Sequence, residues 1–296
     1  MKESNNLASV GTAMPGLSAN RLKGLLLPFP PLSEQKKIVA KLEELLPQID
    51  KYNKVQQQLD ELNNSIKENL KKSILQEAIQ GKLVPQIAEE GSTQELLGDI
   101  QAEIQKMVKN GKLKKSALAT STIFKGDDNK YYEQIRNTIS EVEAAFEFPN
   151  SWSIARVSAI CQLTDGLKTT GKQCLLDAKY LRGKSSETIV EQGKLVCKGD
   201  NIMLVDGENS GEVFTVQQDG YMGSTFKQLW ISSFMYEPYV LAFIQFYKEI
   251  LRNSKKGAAI PHLNKDLFYG LIIGIPPLHE QKRIVDKIKQ LTQLFK

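Results

Sequence analysis

The sequence predicts an α/β protein of the α+β kind, with short mixed or antiparallel strands flanked by long coiled-coil-forming helices. Three observations carry that expectation. Apolar residues recur at spacings of 3 and 4 from residue 38 to residue 74. Short apolar runs bounded by Gly and Asp follow from Pro149 onward. One phrase also occurs twice: PPLSEQKKIVAKLEEL at 30–45 and PPLHEQKRIVDKIKQL at 276–291. No strand–helix–strand alternation is visible, so a doubly wound parallel sheet is not expected.

Residues 1–32 read as a loop and a short apolar strand, LLLPF, that ends at Pro30-Pro31 because proline cannot donate to a ladder. A long helix is expected over 33–82. Ser33 is its N-cap, with a hydroxyl able to accept from the first-turn N–H groups, and Glu34 follows where the helix dipole favours an acid. Gly81 is its stop. Such a rod is about 70 Å long at about 1.5 Å per residue. Its single apolar stripe, Ile38, Leu42, Leu45, Ile49, Tyr52, Val55, Leu59, Leu62, Ile66 and Leu70, needs a partner helix. Pro47 is expected to kink or interrupt the rod.

Residues 83–148 are expected to be a helical and polar connecting segment, with an amphipathic helix at 92–110, a mobile stretch at 111–130 and a helical stretch near 131–145. A compact domain then spans 149–277. KLVCKGDNIMLVDG, EVFTVQ and KQLWISS read as strands separated by turns. PYVLAFIQFYKEILR reads as a helix with proline in its first turn, and LIIGI as the closing strand. Residues 278–296 restart the long helix, with His279 as a capping variant of Ser33.

The repeat extends upstream of the quoted phrase. At the offset of 246, Gly11 matches Gly257, Pro15 matches Pro261, Leu17 matches Leu263 and Gly24 matches Gly270, and about half of 35 aligned positions are identical without a gap. A period this long is no solenoid, whose repeats run about 20–50 residues. It is one duplicated unit, followed from the end of one copy to the end of the next.

Composition narrows the function. The chain has 296 residues and a net charge of +5, weakly suited to a polyanion. Residues 83–149 hold 8 basic and 11 acidic groups, 150–275 hold 14 and 12, and 276–296 hold 5 and 2. If DNA is bound, the basic groups must converge in space. No apolar run approaches the ~18 residues of a membrane span, and no signal peptide is evident. Three cysteines without a C-x-x-C pair read as reduced thiols of a cytoplasmic protein, and neither they nor the two histidines have metal-ligand spacing. No Walker loop and no G-x-S-x-G or S-x-x-K nucleophile motif is present. DGENSG at 206–211 reads as a turn, and no cofactor is expected.

With both copies of P-P-L-x-E-Q-x-x-I-V in view, each preceded by Gly-x-x-x-Pro and an apolar strand, the chain resembles the specificity (S) subunit of type I restriction-modification systems. Pro149 and Trp152 match the Pro-x-x-Trp opening of that family's target recognition domains, and Gly199-Asp200 with NIMLV match its Gly-Asp strand. The resemblance implies two joints between recognition domains and conserved helices. On that reading residues 1–32 are the C-terminal remnant of a first recognition domain, 33–82 the spacer helix, 149–277 a complete recognition domain and 278–296 the start of the distal helix. It also implies a non-catalytic protein that reads double-stranded DNA for a methyltransferase (M) subunit and, through it, a restriction (R) subunit. The Asn/Asp/Ser-Pro-Pro-Tyr/Phe tetrapeptide of adenine methyltransferases is absent, FPPL and IPPL being the Pro-Pro contexts here.

Phosphate contacts favour Lys and Arg, and base edges favour Arg, Asn, Gln and Thr. Four clusters supply such residues. They are Lys168, Thr169, Thr170 and Lys172; Lys179, Tyr180, Arg182 and Lys184; Tyr221, Ser224, Thr225 and Lys227; and Lys255, Lys256 and Asn264. The first three are read as loops. Each cluster, taken singly, is equally a solvated polar loop, and Tyr180 and Tyr221 are equally packing residues. His262 reads as a solvated loop histidine. Charges over 33–82 nearly cancel, at 9 basic and 8 acidic, so the helix suits a protein partner, either the methyltransferase or a second copy in a homodimer. A stand-alone dimeric DNA-binding regulator and a silent recombination cassette are the competing readings. A nuclease would have to use Asp127-Asp128, which lie in a polar linker.

Overall fold

A computed structural model describes residues 28–91, 93–118, 121–254, 256 and 261–295. The first copy of the apolar strand, at 25–27, lies outside them. The chain divides into two compact units, Met1–Ser65 and Ile66–Lys296.

The described part of the first unit is the start of α1 (Leu32–Ile79), a helix of 48 residues. It runs through Pro47 without the interruption that is one of the two outcomes expected there. It also begins one residue before Ser33. The Pro31 carbonyl accepts from the N–H groups of Glu34 and Gln35 at 2.9 and 3.0 Å, so a main-chain oxygen serves where the Ser33 side chain was expected. Polar pairs along the surface support the rod: Lys41–Glu44 at 2.8 Å, Gln56–Asp60 at 3.1 Å and Gln57–Glu61 at 3.0 Å. The apolar stripe from Ile38 to Leu70 is exposed throughout.

In the second unit α1 becomes buried at Leu75, Ala78 and Ile79 and stops at Gly81. The Lys82 N–H reaches the Glu77 carbonyl at 2.9 Å, a left-handed helix terminus. Gly81 has φ +71°, and a Cβ there would lie 2.4 Å from Pro149 Cγ. Glycine is therefore required for both conformation and space. Helix α2 (Gln94–Lys109) buries Ile100 and Ile104.

A five-stranded antiparallel sheet follows. Its strands are β1 (Thr122–Lys125), β2 (Tyr131–Ile135), β3 (Thr138–Val142), β4 (Ser153–Arg156) and β12 (Ile272–Ile275), in the order β12-β4-β1-β2-β3. Two expectations fail here. The stretch near 131–145 is a hairpin, not a helix, and part of the stretch at 111–130 is β1. Alternation decides it: Tyr131 and Glu133 turn to the buried face while Tyr132 and Gln134 turn outward. The partly buried Glu133 is held by Arg156 at 2.5 Å, and that guanidinium keeps its carboxyl below the ordinary glutamate range.

A second sheet contains β5 (Cys161–Thr164), β8 (Asn201–Leu204), β9 (Val213–Thr215) and β11 (Phe226–Ile231), in the order β5-β11-β8-β9. The strands β6 (Leu167–Leu176), β7 (Ile189–Val196) and β10 (Gly220–Met222) close on one another. A small core of Cys174, Leu176, Val196, Ile202, Leu204, Val216, Met222 and Phe226 joins the two groups. The remaining helices are α3 (Ala178–Leu181), α4 (Glu237–Asn253), α5 (Lys265–Gly270) and α6 (Leu278–Gln293). Antiparallel pairing dominates, as the α+β expectation requires.

The second copy of the repeated phrase seats α6 on this body. Its cap is Pro277, with no side-chain bond, so His279 is not a cap. Glu280 is 1% exposed and accepts from Gln86 Nε2 at 2.7 Å and Trp152 Nε1 at 3.1 Å. Burial raises its carboxyl above the ordinary range. Gln281 is fully buried. It donates to the Pro276 carbonyl at 2.8 Å and accepts from the Tyr236 N–H at 2.8 Å. Ile284 and Val285 are 0% and 4% exposed, whereas Ile38 and Val39, at the same places in the first copy, are 46% and 52% exposed. The first copy repeats the local geometry, with Gln35 Nε2 donating to the Pro30 carbonyl at 2.7 Å.

Candidate nucleic-acid interface

The antiparallel hairpin β6–β7 is the longest pairing outside the five-stranded sheet, with Lys168 opposite Lys194, Thr169 opposite Gly193 and Thr170 opposite Gln192. The first cluster, expected as a loop, is therefore a strand. Alternation sets its use. Lys168, Thr170, Gln192 and Lys194 share one face, and Thr169 and Gly193 share the other. A register shift follows Thr170, after which Lys172 is exposed.

Tyr221, on β10, is 1% exposed and lies beneath the inner face. It donates to the Gly171 carbonyl at 2.9 Å. A Cβ at Gly193 would come within 2.6 Å of the Tyr221 side chain, so glycine lets the hairpin rest on the ring. Tyr221 thus packs beneath the hairpin, the role left open for it beside DNA contact.

The outer face is unusual as a packing surface. Two lysines directly opposite each other destabilise a strand pair by ~0.2–1 kcal/mol. Lys194 turns to Asp165, 3.4 Å from its Nζ, in the turn that opens the hairpin. Lys227, on β11, makes a shorter ion pair with the same carboxylate, and Lys114 stands 4.0 Å from it. Lys227 above all, then Lys194, holds the Asp165 carboxyl below the ordinary aspartate range. The third cluster, through Lys227, therefore meets strand β7, through Lys194, at Asp165. Ser224 and Thr225 are exposed in the turn before β11.

The other candidates are placed differently. Lys179 and Lys184 are exposed on and just after α3. Tyr180 accepts from Gln218 Nε2 at 3.0 Å. Arg182 is committed to an ion pair with Glu212 and lies 5.8 Å over the Phe214 ring. It is therefore paired, not a free cation. Lys256 pairs with Asp266 at 2.5 Å, and Asn264 caps α5 by accepting from the Leu267 N–H at 3.2 Å, so its side-chain oxygen is occupied. Lys255 lies outside the described residues. His262 is not simply solvated, because its Nδ1 is 2.7 Å from Asp206 Oδ1. Sequence reasoning missed Lys114, Gln192 and Lys194. Only the strand register, which places Lys194 against Lys168, could have singled out the last two.

Among the described residues no group of three or more His, Cys, Asp or Glu is arranged to hold a metal ion, and no helix is long and apolar enough to cross a membrane. Cys161 is buried, which pushes its thiol far up from its ordinary range and makes it a packing residue.

Comparison with known proteins decides the family. The profile described as "Type I restriction modification DNA specificity domain" matches residues 1–72 and 152–296. The chain belongs to that family. Among curated specificity-domain relatives, the type I restriction enzyme MjaVIII specificity subunit of Methanocaldococcus jannaschii is 28% identical over 159 residues, covering 50% of this chain and 37% of that protein. The type I restriction enzyme EcoAI specificity subunit of Escherichia coli is 25% identical over 341 aligned positions, covering 90% of this chain and 53% of that protein. The chain therefore spans about half or less of the length of these relatives. A solved structure, described as "Structural basis underlying complex assembly and conformational transition of the type I R-M system", shares the fold. Its TM-score is 0.52 at 16% identity, over 96% of this chain and 58% of that one.

Proposed function

We propose that this specificity-domain protein reads duplex DNA and thereby directs a methyltransferase subunit and, through it, a restriction subunit, taking no catalytic part itself. The observation that carries this reading is the outer face of the β6–β7 hairpin. A two-stranded ribbon fits the major groove of B-DNA, and this one presents Thr170 and Gln192 on the rung next to the facing pair Lys168 and Lys194. The amide of Gln192 suits an adenine edge and the lysines suit phosphates. Lys172, Ser224, Thr225, Lys179 and Lys184 are exposed and extend the surface. The bare stripe of α1 suits a helical protein partner, either the methyltransferase subunit or a second copy. A symmetric pair of copies would call for an interrupted palindrome as target.

Co-expression with the genomically adjacent methyltransferase subunit, followed by mapping of methylated adenines in host DNA, tests the proposal. A single new motif is expected, and Gln192→Ala is expected to relax one of its positions at a cost of about 1–3 kcal/mol of discrimination. A soluble complex that methylates no new motif would overturn the targeting role in favour of a stand-alone regulator or a silent cassette.

A further inference from the structure

The convergence of Lys114, Lys194 and Lys227 on Asp165 has no evident structural need. Asp165 is half-exposed, and one surface ion pair would serve the turn as well as three. Such pairs contribute only ~0–1 kcal/mol each. Three cations are thus grouped about one carboxylate, and Lys168 stands opposite Lys194 on the outer face of the hairpin. The three lysines and the carboxylate carry a net charge of +2 at the base of the hairpin, in a chain whose total is only +5. The lysines come from three places: Lys114 after α2, Lys194 from β7 and Lys227 from β11.

We propose that this is an anion site for a DNA backbone phosphate and that Asp165 is its internal counterion, holding the lysines together until a phosphate displaces it. The proposal rests on the DNA-reading function above and adds a non-sequence-specific contact to it. Asp165 follows Thr164 at the end of β5 and precedes Gly166 at φ +69°, a turn that opens directly into β6. The carboxylate is thereby fixed beside the proposed base-reading face. The lysine ammonium groups at 3.4 and 4.0 Å are near enough for small side-chain movements to close on a bound oxyanion. A phosphate entering the site must repel or displace Asp165, so the carboxylate lowers the affinity for every duplex equally.

The test uses the full chain with its methyltransferase partner and two fluorescent duplexes, one carrying the methylated motif and one with that motif shuffled. Asp165→Asn keeps the shape and removes the charge. It is expected to tighten binding to both duplexes by a similar factor, about tenfold at 0.1 M salt. It should also steepen the fall of log affinity with log salt by about 0.9, one phosphate's worth. Lys227→Ala should do the reverse on both duplexes and leave the methylated motif unchanged. Unchanged affinity and salt slope in both variants, with wild type binding its motif duplex, would overturn the phosphate site and leave the DNA-reading function standing. If the wild-type complex bound neither duplex, both would fall.

Discussion

Two carboxylates in this protein respond to acid in opposite directions. Glu133 has its folded pKa depressed by Arg156. The stability it contributes is therefore present above the ordinary glutamate value of 4.5 and is lost as pH falls through the folded value. Glu133→Gln should lower stability by about 2–4 kcal/mol at neutral pH, and the gap to wild type in thermal unfolding should close as pH falls from the ordinary glutamate value through the lower folded one. Glu280 has its folded pKa raised by burial. Its ionised form opposes folding, so protonation on acidification strengthens that site instead. A gap for Glu133→Gln that persisted unchanged at low pH would show that Arg156 is not its partner in solution. At this scale the sequence was a partial guide. Lys168, Thr170 and Lys227 could be read as polar candidates, but Tyr221 and Arg182 could not be told from them. Whether such a side chain faces solvent, a carboxylate or a glycine depends on register, which no local pattern reveals.

The elements divide by the range of the forces that make them. The 48-residue α1, the proline-led α4 and the closing strand β12 were legible because periodicity, caps and proline are local signals. The hairpin β2–β3 was not. Its turn is Arg136-Asn137, between Ile135 and its partner Thr138, and Arg136 stands at φ +54°. The usual signal for a two-residue hairpin is a glycine at such a position, and here it is missing. The long-range pairing of β1 with β4 supplies what the turn lacks. Arg136→Gly should accordingly raise stability by about 0.5–1 kcal/mol, read as a higher unfolding midpoint. Gly81→Ala should do the opposite by about 2–4 kcal/mol, because it adds both a strained φ and a clash with Pro149. An unaltered midpoint in Gly81→Ala would mean that the left-handed terminus of α1 is not formed.

For the whole molecule, the proposed association rests on the exposed stripe of α1. Leu42, Ile49 and Leu59 are about half exposed, and a long apolar stripe of this kind is stabilised by a facing helix. Sedimentation at micromolar concentration should show a dimer, or a complex with the methyltransferase subunit, and Leu59→Lys should dissolve it without lowering the unfolding midpoint of residues 66–296. A stable monomer across that range, alone and with the methyltransferase, would refute the role of the stripe. One feature also bears on descent. Glu280, Gln281, Ile284 and Val285, which lock the helix to the body, all lie inside the duplicated words, while the hairpin and its lysines lie wholly between them. A crossover within the shared words would therefore transplant an entire reading head and leave the hinge-pin in place. The graft would take only if the incoming head brought an indole and an amide to the positions of Trp152 and Gln86, since those two donors hold the buried carboxylate.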